Sequence, residues 1–296
     1  MMGFVLRCSG RHQIALALLA AGVFGLSTVP LELQRRIVND AIKSGATETI
    51  FWLAAAYAGV ALLEQGLKLA LNLYRAWVSE DAVRGLRRTL EDVQDDSNSA
   101  DAAGKHAAMA VAEAEPIGGF VGMAISEPLL QVGILISVVA YMTFLEPWTL
   151  ALSAAFLLPQ ALFVPVMQRA INRRAEKRIR VLRRVGGDIV DKGVPADERI
   201  ERVFQLNMGI YKIKYSMSLL MNFLHYASVA VALGVGGWFA TQHRIEVGTV
   251  VAVVSGLGKL KDPWSDLVNW ARELSVDSVK YRLFADAVGR RGLATA

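Results

Sequence analysis

Long apolar runs alternate along this chain with charged stretches that keep a helical period. A helix needs roughly 20 largely apolar residues to cross a hydrocarbon core about 30 Å thick. Ile14–Leu31, Pro128–Leu145, Pro147–Gln168 and Tyr215–Gln242 contain no Asp, Glu, Lys or Arg, and Pro116–Ser126 leads into the second of them across Glu127. Two further runs are interrupted by charge. Ile50–Leu63 continues through Glu64 and Lys68 as far as Trp77, and Val247–Gly258 is followed by Lys259, Lys261 and Asp262. The pattern predicts an all-α polytopic membrane protein with six long transmembrane helices, at about 12–38, 48–77, 116–145, 147–172, 213–242 and 246–275, forming a single domain over 1–296. Arg7 and Arg11 before the first run also suit a signal peptide, but the run is long and no A-x-A-like cleavage site follows, so a retained helix is expected.

Two connections are too long for simple turns and too periodic for slack loops. In the first, Val78, Ala82, Leu86 and Leu90 recur every four residues, with Arg84, Arg87 and Arg88 off that line. The second opens with Ile171, Ile179, Leu182 and Val185 among Arg173, Arg174, Lys177, Arg178, Arg183 and Arg184. Breakers mark the expected turning points: Asp95–Asn98 with Gly104 in one, and Gly186, Gly187, Gly193 and Pro195 in the other. Two extended helical hairpins are expected beyond the membrane; solvated amphipathic loops are the plainer alternative.

Composition agrees with the membrane class, at 54% hydrophobic residues and a mean hydropathy of +0.37. The net charge of +5 is topological in origin. Arg169–Lys214 carries 13 Lys and Arg against 6 acids, whereas Glu146 and His243–Glu246 are the short connections on the other side. Positive residues stay inside, so both termini and both long connections are expected in the cytoplasm, with the chain in a plasma (bacterial inner) membrane. This accounts for the basic pI without nucleic acid, and none is expected as a partner. Cys8 is alone and no Cys/His run has zinc-ligand spacing, so neither a disulfide nor a bound metal is expected.

Catalytic chemistry is not expected. A phosphate-binding loop needs G-x-x-x-x-G-K-[ST], and around Gly258-Lys259 the first glycine position is Val253 and the Ser/Thr position is Leu260. No serine triad or HExxH motif is present, so no catalytic residue and no cofactor is assigned to this chain. Charges within the spans are informative because they are costly there and face a cavity or a partner. At 1.5 Å per residue, Glu64 and Lys259 lie at similar depths, about 21 and 18 Å from the outer ends of their helices. Lys68 follows Glu64 by a turn, and Asp262 and Asp266 share the Lys259 face. Glu64, Lys68, Lys259, Asp262 and Asp266 are candidate lining of a polar substrate cavity; ion pairing between the second and sixth helices, or snorkelling to the interface, is the structural alternative. Glu127 and His225 match in depth as well, and Gly118-x-x-x-Gly122 is a candidate close-packing face.

Several stretches, in order, resemble one family. Pro30 is followed by Leu33–Ile42; Glu80 precedes Arg84–Leu90; Val247-Gly248-Thr249-Val250-Val251-Ala252 looks like a G-T-V-V-A-F helix opening; and Pro263-Trp264 with Leu267–Tyr281 looks like a kinked helix and its long continuation. The chain resembles the transmembrane domain of ABC exporters of the six-helix, domain-swapped type. The resemblance implies a homodimer or a heterodimer with another transmembrane half, a setting in membrane lipid, and an ABC ATPase partner supplying ATP and magnesium chemistry. It also implies short coupling helices near Ser99–His106 and Val203–Lys212, making Phe204, Leu206, Asn207, Met208 and Tyr211 candidate contacts with the ATPase. The family's chain usually continues into a nucleotide-binding domain, whereas this sequence ends at Ala296. A separate subunit, a non-transporting regulator or scaffold, and a piece of a longer half-transporter are the readings this leaves.

Overall fold

A computed structural model describes residues 1–42, 45, 47–95, 114–192 and 197–292, and all regular structure among them is helical. Helix α1, Met2–Leu26, kinks at Ser9 (φ −138°, ψ 22°), whose hydroxyl donates to the Val5 carbonyl at 2.8 Å. Ser27 and Thr28 then break the helix. Pro30 lacks an N–H, and the Leu31 amide bonds Thr28, leaving the Ser27 carbonyl without a helical donor. Helix α2, Val29–Arg36, runs into a π-helical turn at Ile37–Ile42. Next come α3, Thr47–Asp95, and α4, Ala114–Met123. Helix α5, Ser126–Leu145, is separated from α4 by a turn in which Pro128 offers no N–H to the Ala124 carbonyl.

The chain then forms α6, Pro147–Lys192, α7, Asp197–Thr241, and α8, Val247–Gly292. Helix α6 bends by 41° between Pro147–Ala155 and Leu158–Leu182. Pro159 is the cause, because it cannot donate to Ala155 and its ring crowds that carbonyl.

By contacts the chain divides into two compact units, residues 1–145 with 246–296 and residues 146–245. Within the first, α5 packs between α1 and α8, and α3 packs on α1 and α4. Its core includes Leu16, Leu71, Leu86, Phe120, Met142 and Leu257, each below 2% exposure. The Gly118/Gly122 pair does form a close crossing. A Cβ on Gly118 would lie 2.7 Å from the Val83 amide nitrogen, and one on Gly122 would collide with the Arg75 carbonyl. The second unit is the α6–α7 hairpin. Buried Ser228 donates to the Ser153 carbonyl at 2.9 Å, and Arg178 reaches Asn207 at 3.2 Å.

Among the described residues four helical segments are long and apolar enough to cross a membrane: Met2–Asp40, Thr47–Thr89, Ala114–Leu145 and Asp197–Thr241. The bent pair in α6 makes a fifth if it is one span. The expected sixth, in α8, does not qualify, because Lys259, Lys261 and Asp262 interrupt its apolar run too soon. Phe51, Trp52, Leu62, Leu69 and Leu73 on α3 are exposed, which suits hydrocarbon better than water.

The sequence expectation also needs correction at the second long connection. Helix α6 runs through Gly186 and Gly187 to Lys192. Gly193, Pro195, the Asp96–Gly104 breakers and the Ser99–His106 segment lie outside the described residues.

Candidate functional site

The first unit holds a polar cleft of about 480 Å³. Its walls come from three helices, each contributing one stripe. On α3, Glu64, Lys68, Leu71 and Arg75 are spaced by four, three and four residues, so they project to one side of the helix. On α8, Lys259, Asp262 and Asp266 do the same, and α5 supplies Glu127 and Gln131. All five residues expected to line a polar cavity therefore meet at one cleft.

The upper part is organised by Glu64, which is only 5% exposed. Its two carboxylate oxygens each face a lysine, Lys68 at 2.9 Å and Lys259 at 3.6 Å. The depth match between Glu64 and Lys259 thus corresponds to a contact. Lys259 also donates to the Ser27 carbonyl at 2.7 Å, the acceptor freed by the break between α1 and α2. One ammonium therefore ties α8 to both α1 and α3. The ion pairing and the cavity, posed as alternatives by the sequence, coexist.

Farther along, Arg75 pairs with Glu127 at 2.5 Å and donates to Ser126 Oγ at 2.8 Å. Gln131 donates to Glu127 at 2.7 Å and to Asp266 at 3.1 Å, joining α5 to α8. Glu127 is accordingly held by Arg75 and Gln131, while His225, which matches it in depth, belongs to the second unit. His225 stands edge-on to Tyr226, with ring centroids 5.8 Å apart. Among the described residues neither Asp262 nor Asp266 has a cation within ion-pair distance. A second hollow of about 460 Å³ continues past Arg75, Glu127 and Asp266 to Asn269, Trp270 and Glu273. There Trp270 Nε1 donates at 3.2 Å to the Ala124 carbonyl, the acceptor that Pro128 leaves open.

Arg75, Gln131 and Ser27 were not among the expected residues. Arg75 was within reach, because it follows Glu64 by eleven residues and so returns to the same helix face. Gln131 and Ser27 carry no signal in the sequence, since a glutamine and a backbone carbonyl acquire a role only from what packs beside them.

The candidate ATPase-coupling residues belong to the second unit. Val203–Lys212 is part of α7, close to its start, and does not form a separate short helix. Phe204, Met208 and Tyr211 are exposed along one face, which Tyr215 extends by stacking on Tyr211 at 6.2 Å. Leu206 is half-buried, Asn207 is held by Arg178, and Arg174 lies over Gly209.

Among the described residues no group of three or more His, Cys, Asp and Glu side chains is placed to hold a metal ion. No protein-family model matches this sequence, and no curated protein matches it.

Proposed function

We propose that this chain is the transmembrane part of an ABC-type exporter, forming the translocation pathway in a homodimer or heterodimer and coupled to an ABC ATPase. The observation that carries the reading is the cleft. Three helices of a chain rich in exposed apolar surface turn charged stripes toward one another, and charges at such positions mark pathways. The α6–α7 hairpin is consistent with it. Its helices of 46 and 45 residues, about 70 Å each, exceed a bilayer and leave a long extension for a coupling partner. In this reading α8 is the sixth span despite its charges, because those charges face the cleft instead of lipid. Both termini and the α6–α7 connection are cytoplasmic.

A scaffold that moves no substrate is the second reading, favoured by the completeness with which Glu64, Lys68, Lys259 and Ser27 satisfy one another. Affinity purification of the full chain from its native membrane separates the two. The transport reading expects a Walker-motif polypeptide and ATP hydrolysis to accompany the chain, and expects both to be lost when Phe204→Asp and Tyr211→Asp are combined, with insertion unchanged. A chain that purifies without any ATPase contradicts it.

A further inference from the structure

The cleft is not charge-matched along its length. At one end two lysines, Lys68 and Lys259, share the single carboxylate of Glu64, leaving one positive charge in excess. At the other end Arg75 and Glu127 cancel, and Asp266, bonded at 3.1 Å to the Gln131 amide that also holds Glu127, has no cation among the described residues. Lys259 and Asp266 are seven residues apart on one helix, so the two poles are separated by about 10 Å, with Asp262 between them. A positive pole and a negative pole at opposite ends of a cavity form a dipolar receptor. A ligand with one charge satisfies one pole and leaves the other bare, and an apolar ligand leaves both bare, at the cost attached to poorly solvated charge.

We infer that the cleft binds a small zwitterion end to end, with its carboxylate or phosphate at Lys68 and Lys259 and its ammonium at Asp266. An extended chain advances about 3.5 Å per residue, so a peptide of two or three residues spans the poles. A volume of about 480 Å³ lies within the range of small-molecule sites. The headgroup of an aminophospholipid presents the same two charges. The inference rests on the pathway reading only in taking this cleft as the place where substrate sits.

The test is calorimetric titration of the full chain, in phosphatidylglycerol nanodiscs, with trialanine, N-acetyl-trialanine and trialanine amide. Trialanine is expected to bind, and blocking either terminus to weaken binding about 10-fold to 100-fold, the value of one charge-assisted contact. Lys259→Met should remove the preference for trialanine over its amide, and Asp266→Asn the preference over the acetylated peptide. Asp266→Glu, which keeps the charge, should retain that second preference and so separates recognition from misfolding. If phosphatidylethanolamine in the nanodisc competes with trialanine, or is retained by a wild-type chain that ignores trialanine and is lost from Asp266→Asn, the zwitterion is a lipid headgroup. No competition by the lipid assigns the site to soluble peptides. Equal binding of trialanine and either blocked form overturns the inference, as does a chain that takes up neither trialanine nor phosphatidylethanolamine. None of these readouts uses an ATPase, so loss of the ATPase partner would sink the exporter reading alone.

Discussion

Glu64 is the residue on which the cleft turns, since it is nearly buried and, among the described residues, is the only carboxylate facing two lysines. Removing one partner from a buried ion pair leaves an uncompensated charge and typically costs about 3–5 kcal/mol, while removing both partners is far milder. Glu64→Gln and Lys259→Met should therefore each lower the thermal midpoint of the detergent-solubilised chain, and the double variant should lose less than the sum. Additive losses in that double-mutant cycle would mean that the 3.6 Å contact carries no energy. Depth along a helix was legible in the sequence, because rise per residue is constant, and it brought Glu64 and Lys259 to one level. The direction a residue faces depends on which helix packs beside it. That is why Glu127 met Arg75 and Gln131, although its depth matched that of His225.

Helices α3 and α4 approach closely because two glycines allow it. At Gly118 and Gly122 a methyl group would meet the backbone of Val83 and of Arg75, neither of which can move aside, whereas at Gly119 it would meet nothing within 4 Å. Gly122→Ala should destabilise the chain by about 1–3 kcal/mol, as overpacking does, and displace the Ser79 hydroxyl that bonds Gly119 and Gly122. Gly119→Ala should be neutral or slightly stabilising. Equal thermal midpoints for the two variants would contradict the crossing. At this scale the glycine spacing was readable from sequence, and the run of α6 past Gly186 and Gly187 was not. Gly186 and Gly187 look like breakers, but each costs only about 1 kcal/mol in a helix, less than the packing of a long hairpin returns. Proline chemistry accounts for two features: Pro159 bends α6, and Pro128 leaves open the carbonyl that Trp270 occupies.

For the whole molecule, the apolar runs predicted an all-helical chain with six spans, and among the described residues four helices, or five with the bent α6, are long and apolar enough to cross a bilayer. They under-determined α8, whose charges disqualify it by composition while directing it, in the reading proposed above, to line a cleft. The central claim is thus that α3 has two environments at one membrane depth, lipid on its Leu62, Leu63 and Leu73 side and water on its Lys68 and Asn72 side. With Cys8→Ser the chain carries no other cysteine, so single cysteines can be placed on either face. The deciding measurement is the rate at which a charged, membrane-impermeant thiol reagent labels Asn72→Cys and Leu73→Cys in sealed vesicles of each orientation. Fast labelling of Asn72→Cys from one side only, with Leu73→Cys protected from both, is the predicted result. Equal labelling of the two positions, or protection of both, would contradict it.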